Sequence, residues 1–350
     1  MHIIDSHFHY WPRAFFDHVC KRNGYPHVEK NDRGGFTYWR KEGKEPTFNW
    51  GPVWFDLDKL MERLQEDGHE VDVISSLGPI SVHFSDVPPE IGRDDAMFWN
   101  EEIAAAQRKY AGRLWGIGAI PLTDGEVAVE VLDHAVKKLG LFGVNLPGSV
   151  GDGGRIDDEG LEPFYDRAEE LGAVLFLHPT DTLFSDLLQG YDGALYLTLG
   201  RVIDVSVAAT RLILSGIMER HPNLKIYMSH TGGVLPYQSG RMDRLSPEAG
   251  VGSFSRGISL PHPPSTYIKR MYTDIVQPDP SAMKFALDYF GIDHIIYGTD
   301  YPCWNPTVAL KFFNAIGLSE ADLQKIFYGN AKRFFALPDA DAKTKEAASL

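Results

Sequence analysis

Cysteine is nearly absent: Cys20 and Cys303 are the only two in 350 residues. That is too few for a disulfide framework to be the source of stability in a chain of this length. Long hydrophobic runs are also missing. No apolar stretch approaches the roughly 18 residues of a membrane-spanning helix. The first residues, Met1-His2-Ile3-Ile4-Asp5, have neither the basic region nor the apolar region of a signal peptide. The expectation is a cytoplasmic protein. Positive charge is in deficit, with 34 Lys and Arg against 48 Asp and Glu, a net charge of −14. Nucleic acid and anionic membrane both recruit clustered cations, so neither is expected as the main partner. An anionic small molecule needs only one or two local cations and stays open. Short internal repeats and low-complexity blocks are absent too.

Apolar residues make up 43% of the chain and charged ones 23%, which specifies a globular protein. Short, nearly continuous apolar runs predict strands at residues 3–6, 72–76, 114–120, 143–146, 174–177, 225–229, 271–275 and 294–298. Continuous rather than alternating runs suit parallel strands buried on both faces. Helical patterns lie between them. Leu57, Leu60, Met61 and Leu64 follow Asp56 and end at Gly68. Others cover residues 124–139, 161–171, 205–218, 280–290 and 319–335. Alternation of strand and helix predicts a parallel α/β fold, and eight strands favour a (β/α)8 TIM barrel over a doubly wound sheet. The barrel is expected over residues 1–337, with 338–350 as a polar C-terminal tail.

Two long connections stand out. Residues 10–53, after the first strand, carry Tyr10, Trp11, Phe15, Phe16, Tyr25, Phe36, Tyr38, Trp39, Phe48 and Trp50. So aromatic an insertion suggests a lid over the barrel mouth or a contact between subunits. Residues 181–200 form a second long loop after the fifth strand.

The residues that carry chemistry sit at predicted strand ends. His7 and His9 follow the first strand, two apart, so their side chains point to one side. His178 ends the fifth strand, His230 the sixth, and Asp300 follows the eighth. In a (β/α)8 barrel all C-terminal strand ends meet at one rim. Imidazoles with a carboxylate suit one divalent metal, Zn²⁺ first, with Mn²⁺, Fe²⁺ and Co²⁺ accepting the same donors. Such a metal lowers the pKa of its water from about 15.7 towards about 7. Asp300 is a ligand and a proton acceptor in this reading; His230 is a ligand or an acid-base beside the metal. His221, at a helix end, is read as offsetting the helix dipole. His2, His18, His27, His69, His83 and His262 lack the strand-end context.

Asp5-Ser6-His7-Phe8-His9, Leu177-His178-Pro179, Ser229-His230-Thr231-Gly232-Gly233 and Tyr297-Gly298-Thr299-Asp300-Tyr301-Pro302 resemble the motifs of the amidohydrolase superfamily (amidohydrolase family 2). The branch they resemble holds aminocarboxymuconate semialdehyde decarboxylase and related aromatic-acid decarboxylases. The resemblance implies His7, His9, His178 and Asp300 as ligands of one metal, with His230 as acid-base. It also implies a homodimer, in which Arg241 binds a substrate carboxylate in the neighbouring subunit's site. Where the semialdehyde decarboxylase has an Arg before its first barrel helix, this chain reads Thr47-Phe48-Asn49-Trp50-Gly51-Pro52-Val53-Trp54, with Arg40 upstream. That departure bears on the substrate. Some decarboxylases of the branch have Glu-x-His in place of His7-x-His9.

Two reactions fit one site. The first is metal-dependent, non-oxidative decarboxylation of an aromatic or dienoic acid, with a metal-bound water and the His230/Asp300 pair handling the proton. The alternative is hydrolysis of an amide, lactone or C–C bond in aromatic-compound catabolism. Substrate contacts are expected from Arg241 by resemblance, and from Trp50, Phe84 and Trp304 by loop position. Asp274, on the seventh strand, is read as orienting His230 or a loop.

Overall fold

Branched and aromatic residues dominate the predicted strands, and seven of the eight runs form β-strands in the computed structural model. It describes residues 1–44, 46–151, 154–180, 187–244 and 260–338. The predicted tail from 339 onward and residues 181–186 of the second insertion lie outside the described residues.

Strand β1 (His2–His9) is followed by three short strands of the first insertion, β2 (His27–Lys30), β3 (Phe36–Trp39) and β4 (Phe48–Trp50). Then come β5 (Glu70–Ser76), β6 (Leu114–Gly116), β7 (Gly143–Pro147), β8 (Val174–His178), β9 (Lys225–Met228) and β10 (Tyr272–Thr273). β1, β5 and β6 pair in parallel in that order, and so do β7, β8, β9 and β10. Gly118 joins the two sets: its N–H donates to Gly143 O at 2.9 Å and its carbonyl accepts from Asn145 N at 2.7 Å. The eighth run, residues 294–298, forms no continuous ladder. Ile296 N donates to Thr273 O and Ser6 N to Tyr297 O, each at 2.9 Å, and these bonds bring the sheet back to β1. The architecture is a (β/α)8 barrel.

Ile4, Ile74, Val174, Phe176, Tyr227 and Ile296 fill the barrel interior together with Phe334 of the last helix, Asn330–Phe334, and Phe335 just past its end. Tyr328 packs on His2, at the start of β1. The C-terminal helix therefore plugs the N-terminal end of the barrel and leaves the C-terminal rim for chemistry. Along β1 the pairing register slips between Asp5 and Phe8. Ile4 lies in the inner cluster, while Ile3 and Phe8 lie in the outer one. A bulge of this kind shifts the alternation by one residue. It lets Ser6 reach Tyr227 while His7 and His9 both face the site.

The first insertion folds as a helix (Arg13–Val19) and an antiparallel sheet in the order β2-β3-β4. Its core is Trp11, Phe15, Phe16, Phe36, Tyr38 and Trp50. It packs on a 21-residue helix, Pro89–Lys109, that the hydrophobic pattern does not predict. The buried stripe of that helix is Gly92, Asp95, Ala96, Trp99, Asn100, Ile103 and Ala104. The spacing is helical, but small and polar residues hold many of the inward positions.

Asp95 is buried there and accepts from Arg22 Nη1 and Nη2 and from His83 Nε2, the last at 2.9 Å. Asp95→Asn is expected to cost roughly 3 kcal/mol at neutral pH, because it strips a buried group of its counter-charge. Burial pushes the Asp95 carboxyl up, but the bonds from His83 and Arg22 outweigh it and hold the group below the usual carboxylate range. That stability is present above the unfolded value of about 3.9 and is lost as pH falls through the lower folded value. Urea midpoints of wild type and variant are expected to differ by a fixed amount above about pH 5 and to converge in acid.

Candidate metal centre

Each donor is delivered by a strand end. His7 and His9 lie at the end of β1, His178 ends β8, His230 follows β9, and Asp300 follows the eighth run. One ligand atom from each of His7, His9, His178 and Asp300 lies within 4.8 Å of the others, and all four residues are buried. His9 Nε2 is 2.9 Å from Asp300 Oδ1, and His7 Nε2 is 3.4 Å from the same oxygen. Ring centroids of His7, His9 and His178 are 5.0–5.1 Å apart.

The outer nitrogens are all engaged. His7 Nδ1 is 2.6 Å from Asp274 Oδ2, His9 Nδ1 is 3.1 Å from Ser76 O, and His178 Nδ1 is 2.9 Å from Pro179 O. The oxygens facing His7 and His178 can only accept, so these two rings carry the proton on Nδ1 and turn Nε2 to the centre, while His9 Nε2 is itself within hydrogen-bond distance of Asp300 Oδ1. His7 Nε2 and His178 Nε2 are buried and have no hydrogen-bond partner among the described residues. This donor set fits one divalent cation, because buried polar atoms are otherwise paired.

The charges agree with that. Burial drives His178 well below the ordinary imidazole range, and the neighbouring His7, His9 and His230 add to the shift. Burial also lowers His9. Burial pushes the Asp300 carboxyl up, but His7, His230 and His9 outweigh it and hold the group well below the usual range. His7 is raised despite its burial, because Asp300 and Asp274 flank it. His9 and His178 are thereby favoured as neutral rings beside an ionised Asp300.

Backbone strain collects here. His230, Thr231 and Asp300 have φ of 53°, 59° and 58°. Left-handed conformations outside glycine cost about 1–3 kcal/mol each and persist where the surroundings over-determine them. Thr299, before Asp300, donates its N–H and its hydroxyl to the Asp5 carboxylate. Burial pushes Asp5 up to about 6. Gly78 (φ 69°) lies so close to His9 that a Cβ would come within 2.8 Å of the ring.

His230 stands at the edge of the cluster, with Nε2 3.6 Å from Asp300 Oδ2 and neither ring nitrogen hydrogen-bonded. The other expected contacts are dispersed. Trp50 is in the aromatic core of the insertion, 4.1 Å from Trp11 and 4.7 Å from Phe48 between ring centroids. Phe84 is fully buried against Phe15, His83 and Trp99. Trp304 is half exposed in the loop after Asp300. Arg241 is exposed on the helix Leu235–Asp243 and has no ion pair among the described residues. Arg40 is tied to Asp86.

Sequence reasoning missed Trp54. Its ring stacks on His9 at 6.0 Å and on Trp11 at 4.2 Å, and its carbonyl accepts from Trp11 N. It lies one residue past the expected insertion boundary at 53. Its place before the helix Leu57–Arg63 was the only available signal.

Four donors from the strand ends of a (β/α)8 barrel form a cluster that fits one divalent metal. The amidohydrolase family model matches residues 4–337, and the chain belongs to that family. It is 28% identical to the 2-amino-3-carboxymuconate-6-semialdehyde decarboxylase of Dictyostelium discoideum, over 81% of this chain and 77% of that one. It is 30% identical to the gamma-resorcylate decarboxylase of Rhizobium sp. (strain MTP-10005), over 69% of this chain and 76% of that one. Among solved structures, the dihydroxybenzoic acid decarboxylase of Polaromonas sp. JS666, with bound manganese and the inhibitor 2-nitroresorcinol, superposes with a TM-score of 0.77. That match is 25% identical and covers 97% of this chain and 98% of the other.

Proposed function

We propose that the chain is a metal-dependent, non-oxidative decarboxylase of an aromatic or dienoic carboxylic acid. The observation that carries this reading is the buried donor set of His7, His9, His178 and Asp300 with His230, unpartnered, at its edge. The decarboxylase relatives support it. His7, His9, His178 and Asp300 hold one divalent cation, with zinc the first assignment; manganese, as in the Polaromonas relative, fits the same donors. When bound, the cation supplies positive charge that draws in and orients a carboxylate and activates water.

His230 then gives a proton to the carbon that bears the carboxylate. A C–H bond forms, the C–CO₂ bond breaks, and its electron pair returns to the unsaturated system as CO₂ leaves. Asp300 faces the His230 nitrogen that loses the proton. The insertion 10–53, with Trp54 immediately after it, covers this side of the site as a lid. Arg241 reaches the site of a second copy. Exposed Leu197, Leu199, Val234 and Tyr237 support that dimer, because large apolar side chains on a surface mark contacts. Free Cys20 and Cys303 suit a cytoplasmic enzyme. Among the described residues no helix is long and apolar enough to cross a membrane.

The test is a panel of hydroxybenzoates and dienoic acids with the metal-loaded protein, read by release of CO₂ and by incorporation of labelled water. CO₂ release with no water oxygen in the product is the expected result. Labelled oxygen in the product without CO₂ overturns the reading in favour of hydrolysis. Trp54→Ala is expected to raise KM for the accepted aromatic acid about 2- to 12-fold with kcat little changed, since one aromatic stack contributes about 0.5–1.5 kcal/mol.

A further inference from the structure

Asp274 follows β10, the seventh barrel strand, and is fully buried. It touches neither the surface nor the centre of the site, yet four donors converge on its carboxylate. Oδ2 accepts from His7 Nδ1 at 2.6 Å and from His230 N at 3.0 Å. Oδ1 accepts from Thr231 N at 2.9 Å and from Val276 N at 3.0 Å. A carboxylate has about four acceptor sites, and here all are taken.

Two of those donors belong to the consecutive left-handed residues His230 and Thr231. Neither residue is glycine, so the turn needs something to hold it. The same oxygen that holds the turn also fixes the tautomer and ring plane of His7. We propose that Asp274 is the positioning residue that couples the metal site to the proton donor. It locks His7 as a ligand and His230 as acid-base into one unit, so neither can shift without the other. This rests on the metal-centre reading above.

The chemistry makes a sharp substitution available. Asn has the same size but only one acceptor oxygen. Whichever way its amide turns, the NH₂ faces two N–H donors: His7 with His230, or Thr231 with Val276. Asp274→Asn is therefore a break at constant volume.

Metal affinity of the apo proteins is measured by competition of Zn²⁺ with a chromophoric chelator. The imidazoles of ¹⁵N-histidine protein, zinc-loaded, are followed by NMR, with His230→Gln used for assignment. The expected result is about 10–100-fold weaker zinc binding in Asp274→Asn, with the ring signals of both His7 and His230 displaced. Wild-type affinity in the variant overturns the proposal. So does weakened zinc with His230 signals left in place, because the coupling is then absent. A wild type that binds no zinc removes the metal-centre reading itself, a different failure. Should apo Asp274→Asn lack wild-type circular dichroism, Asp274→Ser, whose hydroxyl and a water can replace part of the acceptor set, is put through the same two measurements.

Discussion

His178→Ala is expected to strip the purified protein of its divalent metal. Wild type should carry about one metal ion per chain by elemental analysis after dialysis against a mild chelator, and the variant close to none. The size follows from the site. Structural zinc sites with four ligands bind with apparent free energies of about 10–16 kcal/mol, so one ligand in four is worth roughly 3 kcal/mol, or about 100-fold in affinity. His178 is a severe loss, because its Nε2 is buried without a partner and its Nδ1 is spent on Pro179 O. Burial and the neighbouring imidazoles keep the ring neutral, which is the form that ligates. His221→Ala is the control. That residue is also buried, but it hydrogen-bonds to Glu162 at 3.0 Å near the start of β9, at the other end of the barrel. It should retain full metal. Wild-type metal content in His178→Ala would remove His178 from the centre, and retention of metal by no protein at all, wild type included, would remove the centre.

The features legible in the sequence are those set by one-dimensional pattern. The continuous apolar runs gave the strand positions, and β8 starts and ends within one residue of its expected limits. His7, His9, His178, His230 and Asp300 were legible as a set because the topology of a barrel maps strand ends onto one rim; only the family resemblance set His230 apart from the other four. The features that escaped are set by tertiary context. The helix Pro89–Lys109 carries Asp95 and Asn100 on its buried face, each satisfied by partners far away in sequence. The eighth run keeps its apolar pattern but pairs through single bonds as it enters the turn at Asp300. The β1 bulge is invisible to an alternation rule, which places His7 and His9 on one side but cannot say that Ser6 points inward as well. Aromatic position is the weakest signal of all. Trp50 and Trp54 are four apart and chemically alike, yet one is core and the other stacks on His9, a difference decided by the turn at Pro52–Phe55.

The variant that separates ligand from acid-base is His230→Ala. Metal content is expected to stay near one per chain, while kcat for the accepted acid falls by about 10²–10⁴-fold, the usual worth of a positioned proton donor. KM should change little, since in the proposed reaction His230 acts on the reacting carbon rather than on binding. The geometry argues for this split. His230 is the only imidazole of the four with no hydrogen-bond partner on either ring nitrogen among the described residues. Its ring is 5.4 Å from those of His7 and His178, wider than the 5.0–5.1 Å spacing within the other three. A group intended only to ligate would be fixed through its second nitrogen, as His7, His9 and His178 are. A group that must release and regain a proton is better left without a fixed hydrogen bond on its ring, aimed by its backbone instead. The left-handed turn at His230 and Thr231, held on the Asp274 carboxylate, is a device of that kind. Loss of metal in His230→Ala would instead make it a fifth ligand, and the proton would then have to come from Asp300 alone.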